Sequence, residues 1–176
     1  MDTVVYIAQS IDGFIADKQG GIEWLNEIPN PTGSDYGFAT FMAGVDAIAM
    51  GRKTFEQVCE FDPWPYSKPV FVISRTLHTL PESHREKATV LSMAPQEIVS
   101  HLKSQGIERL YVDGGTLIQS FLKEDLIDQL IITTVPIMLG SGISLFSERG
   151  LRSNWIHQGT DVINNALVKT NYVRAA

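Results

Sequence analysis

Three short stretches carry residue types suited to holding a phosphorylated ligand. Met50-Gly51-Arg52-Lys53-Thr54 sets a glycine, two bases and a hydroxyl directly after an apolar run. Glycine permits close backbone approach, a helix start offers unpaired N–H groups, and Arg52 and Lys53 bring positive charge. Val72-Ile73-Ser74-Arg75-Thr76 flanks a guanidinium with two hydroxyls, a set matched to a phosphate monoester. Val112-Asp113-Gly114-Gly115-Thr116 leaves two successive positions without a Cβ, where a pyrophosphate or a flat ring can rest on backbone. Each stretch alone also has an ordinary reading as a turn, a solvated loop or close helix-on-strand packing. The third is not GxGxxG, and no P-loop signature occurs. On successive strands, however, the three can share one ligand. A dinucleotide with an additional phosphate would use them all.

The elements that must position these residues belong to one domain spanning residues 1–176, a length that buries a real core. A net charge of −6 argues against general nucleic-acid binding, while two or three local bases suffice for a small anion. The lone Cys59 has no internal disulfide partner and falls on the apolar rhythm of its helix. The four histidines are scattered, no Cys/His spacing suits zinc, and no metal is expected. Without a signal-peptide pattern or a long apolar run, no membrane association is expected, and the default location is the cytoplasm.

Short β-branched runs alternate with helical patterns. Residues 4–8, 46–50, 70–74, 89–92, 109–113 and 129–138 read as strands whose lack of polar alternation indicates burial on both faces. Ser34 is expected to cap a helix that buries Phe38, Phe41 and Met42. Further helices are expected over 54–61, from Pro95 to a stop at Gly106, and after Gly114-Gly115-Thr116. Residues 162–173 read as a hairpin turning at Asn164-Asn165, and the glycine-rich 139–146 reads as a turn. The fold class is α/β: a mainly parallel central sheet of about eight strands, helices on both faces, and an antiparallel C-terminal edge. The long segment 18–34, rich in Gly, Pro and Asn, has the character of a functional lid.

The segments IAQSIDGFIAD (7–17), SDYGFATFMAGVDAIAMGRKTFE (34–56), VFVISRT (70–76), LYVDGGTLIQSFL (110–122) and LIDQLIITTVPIMLGSGISLF (126–146) resemble, in order, the dihydrofolate reductase-like superfamily. Within it the chain is most similar to the branch containing the reductase domain of the bifunctional riboflavin-biosynthesis deaminase-reductase, and to its small stand-alone members. The resemblance implies a homodimer and NADPH as cofactor. Gly51, Arg52, Lys53 and Thr54 would hold the pyrophosphate and adenosine-side phosphate, and Ser74 and Arg75 the 2′-phosphate and adenine. Gly114, Gly115, Thr116 and Leu117 would line the pyrophosphate and nicotinamide, with Ala8 and Ile15 bordering the ring. It also implies a cis Gly114–Gly115 peptide.

Asp35, 15 positions before Met50, matches the site where dihydrofolate reductases carry their active-site carboxylate. There it would bind an N–H pair and favour a protonated imine. Its ordinary alternative is to complement a helix dipole. Asp113 matches an acid implicated in substrate contact, Trp24 is placed as a wall of the lid, and Asp12 in a turn. Unlike dihydrofolate reductases, the stretch before the third strand, EFDPWPYSKPVF, carries Lys68 as its only base. The expected function is NADPH-dependent hydride transfer to a small nitrogen heterocycle: a pterin, a pyrimidine, a flavin-like ring or dihydrofolate. A non-catalytic nucleotide sensor and an interaction protein with a vestigial site are the alternatives from other classes.

Overall fold

The computed structural model describes residues 1–146 and 152–175. An eight-stranded sheet is built from β1 (Asp2–Ser10), β3 (Ala47–Gly51), β4 (Val70–Ile73), β5 (Ala88–Leu91), β6 (Arg109–Asp113), β7 (Gln129–Val135), β9 (Trp155–Ile163) and β10 (Leu167–Arg174). Their order across the sheet is β5-β4-β3-β6-β1-β7-β10-β9. The first six strands are parallel, and the β9–β10 hairpin closes the sheet antiparallel against β7. Asn164 and Asn165 both take positive φ at its turn, as their side chains tolerate. The α/β architecture and antiparallel edge expected from the strand pattern are present.

Among the described residues, four α-helices cover the two faces. Against one face, α3 (Pro95–Ser104) and α4 (Gly115–Lys123) bury Ile98, Leu102, Ile118 and Phe121 with Val5, Leu110 and Val112 of the strands. Against the other, α1 (Phe38–Ala43) and α2 (Arg52–Val58) pack Phe38, Phe41, Phe55 and Val58 around Val4, Ile48, Met50 and Tyr111. Strands buried from both sides need no polar alternation, which explains why AIAM (47–50) is fully buried.

Three local expectations change. Ser34 does not cap α1: its hydroxyl accepts from Tyr36 N, and the helix begins after Gly37 in left-handed conformation (φ 89°). The residues of α1 are half-buried or exposed, none fully buried, because the helix lies at the edge of its cluster. Residues 139–146 do more than turn. Ile143–Ser144 (β8) pairs with Phe14–Ala16 (β2) in a separate ribbon, and a Cβ on Gly142 would strike Ala16 O at 2.2 Å. A pairing that close is open only to glycine.

Two features of topology open a ligand edge. From β3 the chain moves outward to β4, whereas from β6, on β3's other flank, it passes beyond β1 to β7. The crevice between β3 and β6 is therefore a switch point, where open α/β sheets bind ligands. In addition, β1 pairs with β6 only at Asp2–Val4 but with β7 from Val4 to Ser10. The flank of Tyr6–Ser10 that faces away from β7 thus borders a slot. Asp12 steadies its end, accepting from Ser10 Oγ (2.6 Å), Leu139 N (3.1 Å) and Gly140 N (2.7 Å). Among the described residues no helix is long and apolar enough to cross a membrane.

The core on the α4 face should dominate stability. Phe121, 0% exposed, is expected to cost about 3–5 kcal/mol on truncation to alanine, read from urea unfolding midpoints at unchanged slope.

Candidate functional site

The three phosphate-suited stretches end side by side. Gly51 pairs with Ile73 and Met50 with Asp113, so the ends of β4, β3 and β6 line one edge of the sheet. The first and third stretches are in direct contact. A Cβ on Gly114 would lie 2.2 Å from Thr54 Oγ1 and 3.8 Å from Gly51 N. Gly114 makes the entry to α4 at φ 88°, ψ 129°, a conformation that side chains resist. The Gly114–Gly115 peptide is trans, correcting the expected cis bond, and the one cis peptide among the described residues is Asp62–Pro63. The turn is made by rotation at Gly114 instead. A Cβ on Gly115 would meet Ile15 Cδ1 at 2.5 Å and Ile143 Cγ2 at 3.3 Å. The β2–β8 ribbon therefore closes directly over this junction.

The second stretch is tied in through Ser74. Its N–H donates to Leu91 O of β5 (3.0 Å), while its hydroxyl accepts from Thr76 N (3.2 Å) and Leu77 N (3.0 Å). Ser74 is buried, and this turn leaves Arg75 and Thr76 exposed. Lys53 is exposed as well, and Arg52 lies 3.5 Å from Glu56 one turn along α2. Arg52, Lys53 and Arg75 thus supply positive charge at a solvent-facing rim, with glycine backbone behind it.

Ala8 borders the slot beside β1 and is half-buried, while Ile15 is buried. Two buried polar atoms near this end lack partners: Gln9 Oε1 and Trp24 Nε1. Buried polar groups ordinarily find a partner in protein, water or ligand. Leu117 packs its side chain into the α4 core, and Thr116 is exposed at the start of the helix.

Asp113 stands at the end of β6, next to Gly114. Burial raises its carboxyl to about 6, opposed by the Gly114 N–H donating to Oδ1 (2.8 Å) and by Tyr111. A carboxyl held that high beside a ligand edge can keep or release a proton near neutral pH.

Residues 3–169 match the model of the RibD C-terminal domain. The chain belongs to the RibD C-terminal domain family. It is 37% identical to the uncharacterized Bacillus subtilis protein YwjB, with 98% of each chain covered. A solved Shewanella sp. PV-4 structure, provisionally assigned to riboflavin biosynthesis, is 43% identical with TM-score 0.95 over 100% of both chains. The Thermotoga maritima diaminohydroxyphosphoribosylaminopyrimidine deaminase/5-amino-6-(5-phosphoribosylamino)uracil reductase has TM-score 0.75 at 14% identity. That likeness, over 99% of this chain and 56% of the other, is one of fold.

Within this RibD C-terminal domain, Asp35 and Trp24 both make structural contacts. Asp35 is exposed, and its oxygens accept from Gly37 N (2.9 Å) and Ala39 N (2.8 Å). These bonds, with Lys169 nearby, hold its carboxyl below the usual range, which is the helix-start role. Trp24, 6% exposed, anchors the 18–34 segment in a cluster with Val135 and Leu167. It packs beside Ala8 of β1. Sequence reasoning did not single out Tyr111 or Gln9. Tyr111 had a signal, being two residues before Asp113 on the same strand face. A groove of about 460 Å³ between α1 and the β9–β10 hairpin, lined by Tyr6, Thr40, Phe41 and Lys169, contains none of the junction residues.

Gly114→Ala is expected to destabilise the fold by about 1–3 kcal/mol, through the positive φ and displacement of Thr54, as read from thermal unfolding. For Asp113 the sign follows from its raised pKa. The unfolded carboxyl ionises first, so stability falls as pH rises from about 4 to about 6 and stays reduced above. Asp113→Asn should therefore add about 2–3 kcal/mol at pH 7.5 and little at pH 4. An equal gain at both values would contradict this reading.

Proposed function

We propose that this chain is an NADPH-dependent reductase of a small nitrogen heterocycle. The observation that carries this reading is the meeting of three phosphate-suited junctions at the switch point, where Gly114 leaves no room for a Cβ beside Thr54. Family membership supports it, as does the reductase in the name of the structurally similar Thermotoga maritima protein.

Gly51, Arg52, Lys53 and Thr54 would take the pyrophosphate and adenosine-side phosphate, and Ser74 and Arg75 the 2′-phosphate and adenine. The backbone of Gly114, Gly115, Thr116 and Leu117 would carry the pyrophosphate toward the nicotinamide, with Ala8 and Ile15 along the slot. NADPH would supply a hydride. The chain's own part would be to orient the ring and move a proton, a role this reading gives to Asp113. Its carboxyl lies at the ligand edge with its pKa raised, whereas both Asp35 oxygens are engaged by the start of α1. Asp35, first placed as the catalytic carboxylate, would act here by holding α1 in position.

The test is a pair of titrations of the purified protein with NADPH and NADH, followed by tryptophan fluorescence. Micromolar binding of NADPH is expected, with NADH at least tenfold weaker. Arg75→Ala should reduce NADPH affinity about tenfold and leave NADH unchanged, the scale of one charge-assisted contact. Absence of binding by either nucleotide would sink the proposal.

A further inference from the structure

Arg109, at the start of β6, is half-buried and lines the groove between α1 and the β9–β10 hairpin. Among the described residues no carboxylate lies within ion-pair distance of its guanidinium. Asp46, which meets the backbone here, accepts at Oδ2 from the Glu108 N–H (2.9 Å) and the Arg109 N–H (2.8 Å). The guanidinium instead donates from Nη2 to the neutral Gln129 Oε1 (2.6 Å). Gln129 Nε2 donates in turn to Asn171 Oδ1 (2.8 Å), so this amide is held from both ends. Arg109 Nε is buried and has no partner.

A guanidinium keeps its charge at any working pH. Holding it partly out of water against a neutral amide costs free energy that an anion would offset. The groove has room for one: its volume of about 460 Å³ lies within the roughly 300–1,000 Å³ of small-molecule sites. Phe41, stacked on Tyr6 at 4.6 Å, and Ile131 give it an apolar wall, while Thr40 and Gln158 bring neutral hydrogen-bonding groups. Its charged lining is two cations, Arg109 and Lys169, against one acid, Asp161, in a chain of net charge −6. Asp161 already lies 3.9 Å from Lys169 Nζ, which leaves Arg109 as the unpaired charge.

We propose that this groove binds a small amphipathic carboxylate. The carboxylate accepts from Arg109 Nε–H, and the apolar body of the ligand lies against Phe41 and Ile131. One unpaired cation with an acid in the same groove suits a single negative charge better than a phosphate dianion, which Asp161 repels. The groove shares no residue with the three junctions, so this site is separate from the nucleotide edge.

Calorimetry on the full chain at pH 7.5 and constant ionic strength tests this with benzoate, its neutral isostere benzamide, and inorganic phosphate. Benzoate should bind saturably, at least tenfold tighter than either of the others. Arg109→Gln should weaken benzoate about tenfold, the scale of one charge-assisted hydrogen bond, and leave benzamide unchanged. A second variant keeps Arg109. Gly159 lines the groove outside the left-handed region, and a Cβ there meets nothing within 4 Å. Gly159→Phe should therefore fill the groove and abolish benzoate binding, with thermal unfolding and NADPH affinity unchanged. No saturable benzoate binding, equal affinity for benzamide, tighter binding of phosphate, or benzoate affinity that survives in either folded variant would each overturn the proposal.

Discussion

The contact between Gly114 and Thr54 is the constraint on which the ligand edge depends. It brings the turn after β6 against the turn after β3, leaving no volume for even a methyl group. Because β3 and β6 are sheet neighbours whose crossovers leave in opposite directions, this contact lies at the switch point. Glycine backbone therefore faces the crevice at the switch point. A second opening follows from register, since β1 continues alongside β7 after its pairing with β6 has ended.

Around this edge the chain accepts energetic costs that a purely structural domain has no reason to keep. Asp113 is enclosed where its charge is disfavoured, and Gln9 and Trp24 each leave a buried polar atom without a partner. Arg109 Nε, at the other end of β6, is unpartnered as well, whereas several polar groups elsewhere are well satisfied. Asp12 accepts three hydrogen bonds at the β1–β2 turn, and Arg174 reaches Asp125 and Asp128 at 2.8 and 2.9 Å.

Much of the fold was legible in sequence because buried parallel strands must be apolar on both faces. The AIAM and RLYVD runs are strands within a residue of their expected limits. The first turn of α3 at Pro95 and the positive φ of Gly106 follow from chemistry local to those residues. The β2–β8 ribbon was not legible, since strands of three and two residues carry no period and are held by contacts distant in sequence. Ser34 misled for a related reason: any serine before an apolar helix fits a cap, but Gly37 took the helix start.

Sequence by itself determined the residue types at the three junctions, the α/β class and the antiparallel edge, because composition and spacing act locally. Tertiary structure alone decided the direction in which each carboxyl is shifted. Asp35 and Asp113 are equivalent as letters, but one is exposed at a helix start and the other is enclosed among tyrosines. It also decided that Tyr66, 45 positions before Tyr111, packs against the cluster that holds that residue. Burial and electrostatic reach are properties of packing between distant segments, and no local pattern encodes them.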